Sequence, residues 1–225
     1  MQNLPKPAAI APIVNISCVA DVDFQACRYG SRRPKWTRFR CSSSCLMPLA
    51  GPCPGESNSH VHEPYGAKRV DGAWTFATSE EAEYTVSLCD AIVKELLPTD
   101  GRRLILFELC CGSANLSSRC SHAGGTSYPY DCAANRHSPT VPFQVCDLSQ
   151  PEAVASVLSK LWSAVADITN RVVVVWAVPC GTRSRARERP ISASLRAMGC
   201  PEPKPLHSEK CPSGLPDLAP ATEPR

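Results

Sequence analysis

Glu108, Gly112, Asp131, Asp147 and Cys180 are the residues of this 225-residue chain whose types and spacing suit chemistry. Gly112 closes the run Glu108-Leu-Cys-Cys111-Gly112, and a glycine there lets the backbone turn sharply and approach a ligand closely. Asp131 stands nineteen positions after Gly112, a spacing at which an acid can accept from both hydroxyls of a ribose. Asp147 adds an acceptor for an exocyclic amine. Acids in these places, without phosphate-cradling glycines, suit a nucleoside cofactor that carries no pyrophosphate. Cys180 offers a thiol, and Arg183, Arg185 and Arg187 follow it. Nearby positive charge favours the thiolate, which is the nucleophilic form. Blander uses exist for each residue: a glycine turn between strand and helix is common, Asp caps helices and turns, and a Cys after a strand is often a buried thiol.

Secondary structure must bring these residues together. Leu104–Glu108, Thr126–Tyr130, Phe143–Cys146 and Arg171–Trp176 read as strands. Their continuous apolar runs, clearest in Arg171-Val-Val-Val-Val-Trp176, predict burial on both faces, as in a parallel sheet covered by helices. A helix is predicted from a capping box at Thr78 and Glu81, through Val86, Cys89, Ile92, Val93 and Leu96, to a stop at Pro98. Asn115–His122 and Pro151–Val165 supply two more helices, the latter with proline in its first turn. The fold class expected is α/β: a partial Rossmann-like domain of about four parallel strands with flanking helices. In such a sheet ligands collect at the carboxyl ends of the strands, where Glu108, Asp131, Asp147 and Cys180 all fall.

Glu108-Leu-Cys-Cys-Gly112-Ser resembles the first motif of DNA cytosine-5 methyltransferases, and Val178-Pro-Cys180-Gly-Thr-Arg-Ser184 resembles their Pro-Pro-Cys loop. The wording from Cys180 to Glu188 is closer still to methyltransferase-like segments of retroelement-associated open reading frames. The resemblance implies an S-adenosylmethionine-dependent methyltransferase domain. In it Glu108, Cys111, Gly112 and Asp131 would hold the cofactor, Asp147 would lie near its adenine, and Cys180 would attack C6 of a cytosine. The chain departs from the family at Val178, Ala114 and Arg183, where the family has proline, glycine and an apolar residue. It also lacks the family's Glu-Asn-Val motif and has fewer strands than the complete sheet. The expectation is therefore a truncated or degenerate copy, with a partner chain able to supply the missing half. Its nucleic acid would be DNA in preference to RNA.

The remaining regions carry weaker signals. Residues 1–77 read as an irregular basic arm, 78–190 as the α/β half-domain, and 191–225 as a Pro-rich tail. Arg28, Arg32, Arg33, Lys35, Arg38 and Arg40 form a run without acids, interleaved with Tyr29, Trp36 and Phe39, with a short extended piece near Trp36–Arg40. This run supports a rival reading, a non-catalytic nucleic-acid-binding remnant in which cations meet phosphate and rings stack on bases. The bland alternative is a solvated arm. Cys27, Cys53, His60 and His62 invite a zinc reading, but Cys53-x6-His60-x-His62 lacks the short Cys pair of familiar sites, and Cys41-x3-Cys45 is equally undiagnostic. The sequence alone assigns no metal. Fourteen Cys, without a convincing secretory signal, point to reduced thiols in nucleus or cytoplasm. No run is long and apolar enough for a membrane span, and a net charge of +3 implies no global electrostatic partner.

Overall fold

The computed structural model describes residues 19–64, 66–76, 83–135, 137–177 and 191–201. At its centre lies a four-stranded, all-parallel sheet. The strands are β5 (Arg103–Leu109), β6 (Thr126–Asp131), β7 (Gln144–Val145) and β8 (Asn170–Trp176), in the spatial order β7-β6-β5-β8. Helix α1 (Val86–Leu96) precedes β5, α2 (Asn115–His122) joins β5 to β6, and α3 (Pro151–Ala166) joins β7 to β8. Each expected strand and helix of the α/β region is thus present, and the protein is α/β.

Alternate residues of the strands serve opposite faces. Leu104 and Leu106 of β5, with Val173 and Val175 of β8, pack against Leu88, Cys89, Ile92 and Leu96 of α1 and Leu116 and Cys120 of α2. Ile105 and Phe107 point the other way, toward Tyr128, Tyr130 and Val157 of α3. Helices therefore cover both faces, but unequally. On the α3 side Leu158, Trp162, Val165, Val174 and Trp176 remain substantially exposed. The expectation that β8 is buried on both faces is corrected accordingly: among the described residues it pairs only with β5, and Trp176 is 62% exposed.

Helix α1 begins later than the capping box predicts. Thr85, not Thr78, is the N-cap, and its side chain accepts from the N–H of Leu88. Thr78 and Glu81 lie outside the described residues. The Thr85 hydroxyl also donates to the carbonyl of Tyr29, tying the helix to the amino-terminal region.

Within that region the extended piece expected near Trp36–Arg40 is present, as one strand of a hairpin. β1 (Ala20–Gln25) and β2 (Trp36–Cys41) form an antiparallel pair. Along β1 the residues alternate: Val22 and Phe24 are fully buried, while Asp21 and Asp23 face outward. The register sets Asp21 opposite Arg40 and Asp23 opposite Arg38. Both arginines grip their acids with two bonds each, at 2.7 Å for Arg38 and at 2.9 and 3.0 Å for Arg40. Two cations of the basic run, Arg38 and Arg40, are therefore paired with acids lying just ahead of it in sequence, while Arg32 and Arg33 meet Glu63, which follows it. Phe24 meets Tyr29 and Phe39 edge-on, Phe39 meets Tyr84, and these residues belong to the same core as α1 and β5. Burying a ring such as Phe24 contributes about 1.5–3 kcal/mol. The hairpin is part of the domain. A second hairpin, β3 (Ala67–Val70) with β4 (Ala73–Phe76), two 3-10 helices (Ala26–Tyr29 and Ser44–Leu49) and the short helix α4 (Ala193–Ala197) complete the described elements. No helix among the described residues is long and apolar enough to cross a membrane.

Candidate functional site

In sequence order the four parallel strands run β5, β6, β7, β8. The spatial order places β6 and β7 on one side of β5 and β8 on the other. The direction of winding thus reverses at β5, and in open α/β sheets ligands occupy the crevice outside the strand ends at such a reversal. Leu109 and Trp176 end the two strands side by side, and the N–H of Ala177 donates to the carbonyl of Leu109 at 3.1 Å.

The turn leaving β5 is unusual. Cys110, Gly112 and Ala114 all have left-handed φ, at 58°, 56° and 54°. Only one of the three is the residue type that accepts this conformation without cost. Ala114 occupies the N-cap of α2 and has no side chain able to cap. Glu108 performs that service instead: its Oε2 accepts from the N–H of Ser117 at 2.9 Å and from the Ser117 hydroxyl at 2.6 Å. A carboxylate at a helix amino terminus also meets the positive end of the helix dipole. Glu108 is only 3% exposed, and burial pushes its carboxyl above the usual range despite the Ser117 bonds. It holds the turn from beneath rather than facing the open rim.

Asp131 ends β6 and reaches across to the turn. Its Oδ2 accepts from the N–H of Gly112 at 2.7 Å, and its Oδ1 from the N–H of Cys132 at 2.7 Å. A carboxylate has about four acceptor sites, so two bonds leave room for two hydroxyl donors. The Cys111 N–H is occupied by the carbonyl of Tyr130 at 3.0 Å, and its sulfhydryl is buried, which pushes the thiol up to about 12. Only main chain of Cys111 can contribute to a ligand site.

Asp147 follows β7 and is exposed. Its Oδ1 accepts from the N–H of Ser149 at 2.9 Å and its carbonyl from the N–H of Gln150, making the turn that starts α3. The bonds to Ser149 hold its carboxyl below the usual range. It lies at the carboxyl end of the sheet as expected, doing the work of a turn residue. Cys180, Arg183, Arg185 and Arg187 lie outside the described residues.

Three residues at this rim carried no sequence signal. His137 sits over the turn, with its ring 3.5 Å from where a Cβ on Gly112 would stand, and its Nδ1 lies 2.8 Å from Oε1 of Glu83. Asn135 donates to the Gly112 carbonyl at 2.8 Å, and the Thr140 N–H donates to the Ser113 carbonyl at 2.8 Å. The segment after β6 therefore folds back over the glycine turn. An open groove between α1 and α2, lined by Asp90, Lys94, Arg119 and His122, lies toward the amino ends of the strands and so away from this rim.

A second constellation stands apart from the sheet. Sγ of Cys27, Sγ of Cys53 and one ring nitrogen each of His60 and His62 lie within 4.8 Å of one another. Cys41 and Cys45 instead pack against the core. No disulfide links any described cysteine.

Fold and site together define an α/β protein with a four-stranded parallel sheet, a strand-order reversal at β5, and an acid bonded to a glycine turn at that reversal. Set against protein-family models, curated proteins and solved structures, the chain matches none.

Proposed function

We propose that the carboxyl rim of the sheet is a nucleoside-cofactor site, and that the chain is an S-adenosylmethionine-dependent methyltransferase-like protein of the DNA cytosine-5 kind. The observation that carries this reading is the bond from Gly112 to Asp131, located where strand order reverses. The four parallel strands follow the order 3-2-1-4, which is that of the first four strands of a dinucleotide-type sheet.

The residues present fit such a cofactor in part. Asp131 keeps acceptor capacity for ribose hydroxyls, Gly112 adds no Cβ to a turn that Asn135 and His137 cover, and exposed Asp147 stands one strand further along for an adenine amine. Bound S-adenosylmethionine would supply the methyl group. Glu108 would set the angle at which α2 leaves the sheet, through Ser117. The segment carrying Asn135 and His137 would close over the turn and exclude water. On the resemblance, Cys180 would add as thiolate to C6 of a flipped cytosine and, after methylation at C5, be eliminated as thiolate while a base takes the C5 proton, restoring the ring.

Calorimetric titration of the full chain with S-adenosylmethionine tests the reading. Binding that Asp131→Ala weakens supports it; a folded chain giving no heat of binding removes it. Cys180→Ser should abolish any trapped adduct with 5-fluorocytosine DNA.

The rival nucleic-acid reading finds less support. Arg38 and Arg40 are engaged by Asp23 and Asp21, and Arg33 is buried against Glu63 and the carbonyl of Pro64.

A further inference from the structure

We propose that Cys27, Cys53, His60 and His62 form a structural zinc(II) site that fastens residues 51–64 to the β1–β2 hairpin. Tetrahedral zinc, with bonds of about 2.3 Å to sulfur and about 2.0–2.1 Å to imidazole nitrogen, sets neighbouring ligand atoms roughly 3.3–3.8 Å apart. Here Sγ of Cys53 lies 3.0 Å from Nε2 of His60 and 3.3 Å from Nε2 of His62, and the two Nε2 atoms are 3.0 Å apart. Cys27 completes the group within the 4.8 Å limit. A proton can bridge one such pair at a time, whereas one ion serves all four atoms.

The surroundings are those of a metal site. His62 turns its other ring nitrogen toward Oε1 of Glu56 at 3.4 Å, and the same oxygen accepts from the His62 N–H at 3.2 Å. A carboxylate on the far side of a ligating imidazole fixes its orientation and raises its basicity. The N–H of Gly55 points at Sγ of Cys53 at 3.3 Å and helps to fix the sulfur in place. Four protein ligands leave no open position, which marks a structural rather than a catalytic centre. Binding would release the two thiol protons, leaving two thiolates to balance the ion's charge.

The segment also needs a fastening. Val61 is 73% exposed, and none of residues 52–63 is buried. Its other ties are polar. Cys53 N–H donates to Oε1 of Gln25 at 2.6 Å, Gly51 pairs with Asp23 and Gln25, and the Ser57–His60 bridge folds the loop back so that both histidines approach Cys53. Cys27, only 2% exposed, anchors the site to the core side of the hairpin.

The experiment uses the full chain purified without chelator. Expected are about one zinc per chain by elemental mass spectrometry, and, after exchange, the visible bands of tetrahedral cobalt(II) with a thiolate-to-cobalt charge-transfer band. Cys53→Ser and His60→Ala should lose the metal, while His60→Cys should retain it with a stronger charge-transfer band. Glu56→Gln should weaken cobalt affinity by roughly 10–100-fold with the fold intact. The proposal is overturned if the wild-type chain holds no stoichiometric zinc and gives no tetrahedral cobalt spectrum. It is equally overturned if metal content is unchanged in Cys53→Ser and His60→Ala, or if peptide masses show a Cys27–Cys53 disulfide in the freshly isolated protein.

Discussion

Asp131 accepts a hydrogen bond from the main-chain N–H of Gly112 at 2.7 Å, joining the end of β6 to the turn after β5. A second bond, from Cys132, holds the same carboxylate in place. Charge-assisted bonds of this sort are worth about 1.5–3 kcal/mol. Asp131→Ala is therefore expected to lower the free energy of unfolding by about 1.5–3 kcal/mol, and Asp131→Asn by less, because the amide oxygen can still accept. Urea denaturation of the three proteins measures this. Equal stability of all three would show that the turn does not depend on the bond.

The Glu108 carboxyl should make stability depend on pH. Burial raises its pKa above the ordinary value, the Ser117 bonds oppose this, and the charge of Asp131 adds to it. The folded chain then holds the proton more tightly than the unfolded chain. Stability attributable to this group falls as pH rises from the ordinary carboxyl range through the raised folded value, and is level above it. Glu108→Gln keeps an acceptor for the Ser117 N–H and removes the titration. The variant should gain on the wild type as pH rises over that window. Melting curves with parallel pH dependence in both proteins would contradict the assignment.

Gly125 has no room for a side chain. A Cβ there would stand 2.6 Å from Sγ of Cys120, 3.1 Å from the Cys120 carbonyl and 3.2 Å from the Leu104 carbonyl. Two of these neighbours are main chain and cannot swing aside. Gly125→Ala should cost about 1–3 kcal/mol by overpacking, whereas Gly124→Ala meets nothing within 4 Å and pays only for its left-handed φ of 83°. Chemical denaturation of the pair separates a steric cost from a conformational one.

The thiols should differ widely in reactivity. Burial pushes Cys89 and Cys111 up to about 12 and Cys120 to about 11, each with carboxylates nearby adding to the rise. Cys132 is exposed at the rim. Brief alkylation at neutral pH, followed by peptide mass spectrometry, should label Cys132 well ahead of those three, since only thiolate reacts. Prompt labelling of Cys111 would mean that the turn after β5 opens readily.

The parallel sheet was legible from unbroken apolar runs: in β5 the run Leu104–Phe107 reflects burial by helices on both faces, whereas β8 carries such a run with Val174 and Trp176 exposed. The acids at the strand ends were legible from spacing, since Asp131 follows Gly112 by the length of one helix and one strand. Of the amino-terminal hairpin β2 was legible as the extended piece near Trp36–Arg40, but β1 was not, although Asp21-Val-Asp-Phe24 carries the two-residue alternation of a half-buried strand. The basic residues of the hairpin dominate the stretch, and the acids that pair with Arg38 and Arg40 lie just outside it. The start of α1 was misplaced because Thr78 has a Glu three residues on and so reads as a capping box, whereas the cap of α1 is Thr85, which has Leu88 at that position. Nor could spacing reveal that Cys27 and Cys53 meet, because strand register and the bonds from Gly51 to β1, not sequence proximity, bring them together. Asn135 and His137 fold over Gly112 through loop geometry that leaves no periodic trace.

β8 leaves one whole margin of the sheet without a described neighbour, and Val174, Trp176, Trp162 and Ile168 lie exposed on or near it. Among the described residues no strand pairs with that margin, and such a border is a template for an extended peptide that docks beside it. In colloidal terms the described surface is patchy, with a directional, adhesive seam along β8. The chain's solubility ceiling should therefore respond more to a single lysine introduced at position 174 than to any change in overall charge.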